Sequence, residues 1–238
     1  MEDSLCLLTE FNNNPDWIFG GIYDGHGGAG IAHQAARKIP NLFLDKIKSG
    51  LRKEEAFSKS YQEFSDEHVY QLVGASALSF LLENKKEITI ANTGNSRMIR
   101  VDPEGRVKQL TQDHSLNNQE ERERVKKAGA EIKKNHIFKQ GQTLESTRSL
   151  SCHHFKDVGV ISEPEITLLK KIPEKGSFFI AASDGLWKEL NNKQVSILVK
   201  KAKSAKEANN RVLNFLKKKK EGKILGELDN VSIITLKN

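Results

Sequence analysis

Asp24-Gly25-His26-Gly27-Gly28 sets a carboxylate, a backbone carbonyl and an imidazole on one turn. Together they form a metal and acid-base combination. Flanking glycines admit positive φ angles and let a ligand approach the backbone. Asp-Gly chemistry also serves purely structural turns, so the turn acquires meaning only from acidic residues elsewhere. Two stand at the ends of strand-like runs: Asp184 follows Phe178-Phe179-Ile180-Ala181-Ala182, and Asp229 precedes the run from Val231 to Leu236. Strand ends are rigid places from which to aim carboxylates, and three distant aspartates make one cation cluster if the fold brings those ends together.

The elements that must do so alternate between strand and helix patterns. The apolar run Trp17-Ile18-Phe19-Gly20-Gly21-Ile22-Tyr23 reads as a strand entering the Asp24 turn. Ala32, Ala35, Ala36 and Ile39 then recur at helical spacing, with Pro40 expected to interrupt them, and Phe57, Tyr61 and Phe64 mark a second amphipathic helix. Between Gly74 and Leu110, short runs are separated by Glu83-Asn84-Lys85-Lys86, Thr93-Gly94-Asn95-Ser96 and Asp102-Pro103-Glu104-Gly105. Such short connections predict antiparallel hairpins. Helices are expected over Asn118–Lys127, closing at Gly129, over Asn192–Lys203 and over Ala205–Lys219.

With 238 residues, 37% of them hydrophobic, the chain is long enough for one substantial core, and no linker divides it. Residues 1–238 therefore read as a single domain. Cys6 and Cys152 make neither a disulfide framework nor a zinc motif, which fits a reducing compartment. Met1-Glu2-Asp3 begins no signal peptide and no apolar run reaches membrane length, so an intracellular protein, cytoplasmic or nuclear, without a membrane partner is expected. The formal charge is +7, and Lys217-Lys218-Lys219-Lys220 is the densest basic run. Lysines dominate and few aromatics alternate with them, so no nucleic-acid partner is expected; attraction of phosphorylated, acidic substrates is equally consistent with this charge.

Six segments, taken in order, resemble the PPM-type (type 2C) protein phosphatases. They are Met1-Glu2-Asp3, Ile22-Tyr23-Asp24-Gly25-His26-Gly27-Gly28, Leu110-Thr111-Gln112-Asp113-His114, Gly159-Val160-Ile161-Ser162-Glu163-Pro164-Glu165, Ala182-Ser183-Asp184-Gly185-Leu186-Trp187 and Asp229-Asn230. The resemblance runs nearly from end to end. It implies an α+β fold, a four-layer αββα sandwich of two antiparallel sheets flanked by helices. It further implies two Mg2+ or Mn2+ ions, with Asp24 bridging both, the Gly25 carbonyl, Asp184 and Asp229 completing the ligands, and Glu2 acting through water. His26 would be the general acid in hydrolysis of phosphoserine and phosphothreonine in phosphorylated proteins. Hard cations prefer such oxygen ligands, and a pair of them activates water without a covalent intermediate. Asp113, His114 and Arg148 are assigned supporting roles, Trp187 a place in the core, and His153-His154 a solvated loop.

Four departures from the family pattern surround this site. The family carries an arginine four residues before the position of Glu2, a position that lies ahead of Met1 in this sequence; on that reading the N-terminal strand is truncated. Asn95 and Lys188 stand where aspartates help hold an additional ion, which raises the local charge by about three units and disfavours a divalent cation there. Lys188 is also positioned to pair with Asp184. Ser151-Cys152 replaces a Gly-Asp pair. Two readings follow: a metal-dependent serine/threonine phosphatase of reduced activity, or a pseudophosphatase that binds phosphoproteins or regulates them.

Overall fold

In the computed structural model, residues 1–68, 73–172, 175–220 and 229–238 are described. Strands β1 (Asp3–Thr9) and β2 (Trp17–His26) lead through helices α1 (Gly30–Lys48) and α2 (Lys53–Asp66) to β3 (Gly74–Glu83), β4 (Glu87–Thr93), β5 (Arg97–Val101) and β6 (Val107–Gln109). Helix α3 (Gln119–Lys127) precedes a small meander of β7 (Glu131–Lys133), β8 (His136–Lys139) and β9 (Gln142–Leu144). The chain then runs through β10 (Leu150–Ser151), β11 (Glu165–Leu169), β12 (Phe178–Ala182), α4 (Asp184–Trp187), α5 (Asn192–Val199), α6 (Ala205–Lys220) and β13 (Ile233–Lys237).

One sheet has the order β1-β2-β3-β4-β11, with β10 also paired to β3, and the other has the order β13-β12-β5-β6. All their pairings are antiparallel. Strand parity explains how they stack, because successive side chains point to opposite faces. Ala75, Ala77 and Leu81 of β3 join Phe19 and Tyr23 against α1 and α2, whereas Leu78, Phe80 and Leu82 join Ile22 against Met98, Phe179 and Ala181 of the other sheet. Phe178, Ile180 and Ala182 face away, toward Val195, Val199, Ala208 and Val212 of α5 and α6. The layers therefore run helices, sheet, sheet, helices. All ten residues of β3 are buried because both of its faces are covered.

The last strand begins at Ile233 rather than Val231, and two expected helix boundaries differ by more than a residue. Pro40 does not stop α1, which continues to Lys48. An interior proline costs about 3 kcal/mol, but the apolar stripe continues past it to Phe43, which stacks on Phe57 at 4.2 Å between ring centroids and lies 5.6 Å from Phe19. Burying one such aromatic contributes about 1.5–3 kcal/mol, and Pro40 is itself buried, so packing overrides the local penalty. Conversely, α5 ends at Val199 rather than Lys203; it starts at a capping box in which Asn191 accepts from Gln194 N and Gln194 accepts from Asn191 N, each at 2.9 Å. His153 and His154 lie in a 3-10 turn, half-buried, and not in a solvated loop: His153 Nε2 is 2.8 Å from the Ser65 carbonyl. No helix among the described residues is long and apolar enough to cross a membrane.

Candidate active site

The two sheets meet edge to end at Ser183. Register pairs Asp3 with Asp24 across β1 and β2, and Ser183 Oγ donates to Asp3 Oδ2 at 2.8 Å. The same hydroxyl accepts from Ser232 N at 3.0 Å, while Ser183 N donates to the Ser232 carbonyl at 3.1 Å. These bonds tie the Asp24 turn of one sheet to the ends of β12 and β13 in the other. Asp184, the first residue of α4, and Asp229 are thereby brought to the strand end that carries Asp24.

Close backbone approach fixes the arrangement at two glycines. A Cβ on Gly25 would lie 2.7 Å from the Gly28 carbonyl oxygen and 2.8 Å from that of Glu2; one on Gly185 would lie 2.0 Å from the Asn230 carbonyl oxygen. Both are far inside van der Waals contact with backbone atoms, which could make room only by shifting the chain. Only glycine lets the Glu2 strand lie over the Asp24 turn and the Asn230 segment lie against α4.

Glu2, Asp24, Gly25, His26, Asp184 and Asp229, every residue assigned a site role from the sequence, line one cleft of about 240 Å³, along with Asn95, Glu145 and Lys188. Lys188 Nζ lies 2.8 Å from Asp184 Oδ2, 2.9 Å from Asp229 Oδ2 and 3.1 Å from Glu145 Oε2. Asn95 Nδ2 donates to the same Asp184 oxygen at 2.7 Å. The pairing of Lys188 with Asp184 is as the sequence suggests; its extension to Asp229 and Glu145 is not visible there.

Burial, with the charges of Asp184, Asp3 and Asp229, pushes the Asp24 carboxyl up to about 9. Asp184 is also raised, chiefly by burial, although Lys188 pulls the other way. Asp229, more exposed than Asp184, is held below the usual carboxylate range: burial opposes this, but the Lys188 hydrogen bond and charge prevail. The Lys188 ammonium is correspondingly stabilised. His26 is half-buried, its Nε2 2.9 Å from Ser149 Oγ, and burial pushes the imidazole down to about 4.

This donor set fits a hard divalent cation by its chemistry, since it is all oxygen and short of positive charge. Asp184 Oδ1 is buried with no partner, as is Asp3 Oδ1. The geometry is not drawn together: among the described residues, no group of three or more His, Cys, Asp or Glu side chains is placed to hold an ion as it stands. Lys188 lies among the carboxylates.

Supporting residues complete the surroundings. Arg97 pairs with Asp113 and lies 4.9 Å over the Trp187 ring, whose Nε1 donates to the Ala182 carbonyl at 3.0 Å. Buried His114 Nδ1 accepts from Gly94 N at 3.2 Å. Arg148 binds Glu121 Oε1 at 2.8 Å, and buried Glu121 also takes Arg124 at 2.6 Å and Thr147 Oγ1 at 2.7 Å. Ser151 and Cys152 both have positive φ, 59° and 53°. Glu145, Ser149, Asp3 and Glu121 escape sequence reasoning. Asp3 alone left a signal, since strand alternation sets it opposite in facing to Glu2.

A model of the family "Protein phosphatase 2C" matches residues 1–222. "Probable protein phosphatase 2C 2" of Arabidopsis thaliana is 28% identical over 99% of this chain, and "Protein phosphatase 1L" of Bos taurus is 29% identical over 84% of it. The chain spans 63% and 59% of the lengths of these relatives. In fold, it is similar to a serine-threonine phosphatase 2C from Toxoplasma gondii, with a TM-score of 0.82 at 17% identity, covering 98% of this chain and 89% of that one. It is also similar to a C. elegans sex determining protein, with a TM-score of 0.77 at 20% identity, covering 98% of this chain and 60% of that one. Since the family model extends over nearly all of it, the chain belongs to the protein phosphatase 2C family.

Proposed function

We propose that the Asp24 cleft hydrolyses phosphoserine and phosphothreonine in phosphorylated proteins, using Mg2+ or Mn2+ held by Asp24, the Gly25 carbonyl, Asp184, Asp229 and, through water, Glu2. The observation that carries this reading is the convergence of Glu2, Asp24, Asp184 and Asp229, from three distant parts of the chain, on one cleft. Bound there, the metal supplies an acidified water as nucleophile and offsets phosphoryl charge. His26 serves the leaving alkoxide. Burial holds its imidazole down to about 4, so to act as the acid it would have to be protonated on substrate binding, which the negative charge of a bound phosphoryl group favours; Ser149 Oγ, 2.9 Å from Nε2, holds the ring's orientation. Occupancy by two ions requires Lys188 to give up Asp184 and Asp229.

The test is Mn2+-dependent hydrolysis of an aryl phosphate and a phosphothreonine peptide, with Asp24→Asn as control. Hydrolysis that Asp24→Asn leaves unchanged would sink the assignment. A second reading, a pseudophosphatase that binds phosphoproteins, is favoured by one specific observation: Lys188 and Asn95 already satisfy Asp184 Oδ2 without any metal. Under that reading, the phosphopeptide binds and is released intact.

A further inference from the structure

Lys188 lies one helical turn beyond Asp184, and its ammonium has three protons to give. Asp184, Asp229 and Glu145 take them at 2.8, 2.9 and 3.1 Å. These are separations of charge-assisted hydrogen bonds. Three carboxylates from separate segments thus share one monovalent cation. Asp24 and Glu2 line the same cleft with no ion-pair partner among the described residues.

The two oxygens of Asp184 divide along the same line. Oδ2 takes both Lys188 Nζ and Asn95 Nδ2, at 2.8 and 2.7 Å. Oδ1 is buried and has no partner. One side of the carboxylate is therefore satisfied by the protein itself, and the other remains a free donor.

We propose that Lys188 is a built-in cation occupying the Asp184–Asp229 half of the cleft, so that the protein takes one divalent ion, at Asp24, the Gly25 carbonyl and Asp184 Oδ1, and not two. The inference rests on the metal-dependent reading of the cleft. A second dication beside Asp229 would stand within a few ångströms of the ammonium that already holds its Oδ2 at 2.9 Å, and like charges at that separation repel. Because Lys188 is tethered by its own backbone, it competes as an intramolecular ligand whose effective concentration does not fall on dilution. Asn95 supports it by donating to the oxygen that Lys188 uses, where an acidic residue would instead call for more positive charge.

The experiment counts Mn2+ bound to the whole chain by calorimetry and by EPR spectroscopy, for the unsubstituted protein and for Lys188→Met, which keeps the apolar stem and loses the ammonium. One ion in the former and two in the latter are expected. Two ions in the unsubstituted protein overturn the proposal without reference to any variant, as does a count of none. An unchanged count of one in a Lys188→Met protein with native circular dichroism also overturns it; if that variant does not fold, Lys188→Gln takes its place under the same criterion. Hydrolysis by unsubstituted protein holding two ions upholds the phosphatase reading and overturns this one. One bound ion without hydrolysis does the reverse.

Discussion

Asn95 donates its amide to Asp184 Oδ2 at 2.7 Å while its own side-chain oxygen accepts from Ser76 Oγ at 2.8 Å. Both ends of a buried amide are thus used, and its orientation is set by the network. Asn95→Asp would put a carboxylate where Asp184 has a donor. Metal-free protein should lose about 1–3 kcal/mol, the usual cost of leaving a buried polar group unsatisfied, and Mn2+ should restore most of it. Thermal melts with and without Mn2+ measure both. Asn95→Asp combined with Lys188→Asp should raise turnover at saturating metal, and equal turnover in the double variant would count against any role for carboxylates at these two positions.

His26 should matter in proportion to how poor the leaving group is. A general acid contributes about 10²- to 10⁴-fold, so His26→Ala should depress kcat within that range on a phosphothreonine peptide. The loss should be much smaller on an aryl phosphate, whose phenolate leaves unaided. Comparing kcat for the two substrates checks this; equal losses on both would point to a structural histidine.

Glu121 predicts an acid limb of stability that owes nothing to metal. Burial alone would raise its carboxyl, but hydrogen bonds from Arg124, Arg148 and Thr147 hold it down to about 2 from an ordinary 4.5. A depressed carboxylate stabilises the fold above its unfolded value and loses that contribution as pH falls through the folded value. Glu121→Gln should therefore cost about 3 kcal/mol near pH 7, where two arginines lose their buried partner. The difference from unsubstituted protein should shrink between about pH 4.5 and about pH 2. Denaturant titrations across that range test it.

Ser151 has φ of 59° and a buried hydroxyl with no hydrogen-bond partner. Left-handed backbone costs a residue with a Cβ about 1–2 kcal/mol. Ser151→Gly removes that strain and the orphaned hydroxyl, against a backbone entropy cost of about 0.5–1 kcal/mol. A net gain of about 1 kcal/mol is expected in a urea titration, with Mn2+ affinity unchanged.

Gly185→Ala should act in the opposite direction. Its Cβ would lie 2.0 Å from the Asn230 carbonyl oxygen, and overpacking typically costs about 1–3 kcal/mol. Because the displaced segment carries Asp229, Mn2+ affinity should fall with stability. Calorimetry on the folded variant separates the two effects.

Features whose physics is local can be read from the residues alone. Asp24, Gly25 and His26 share one turn, so their proximity follows from chain connectivity, and the apolar runs of β2, β3 and β12 show their strand character through composition. Even the Asp184–Lys188 pair was legible, since residues four apart on a helical turn face the same way. Features that depend on distant segments meeting become visible only in the folded chain. Pro40 stays helical only because Phe43 finds Phe19 and Phe57. Asp229 reaches Lys188 because Ser183 joins the two sheets through Asp3 and Ser232, and Glu145 reaches it from the segment after β9. Glu121 is a surface-helix residue by pattern, yet it is buried by arginines and a threonine from elsewhere. Local propensity and spacing carry no information about such partners, because the electrostatics of a buried site depend on which charges the fold brings within a few ångströms, and only the packed sheets set those distances.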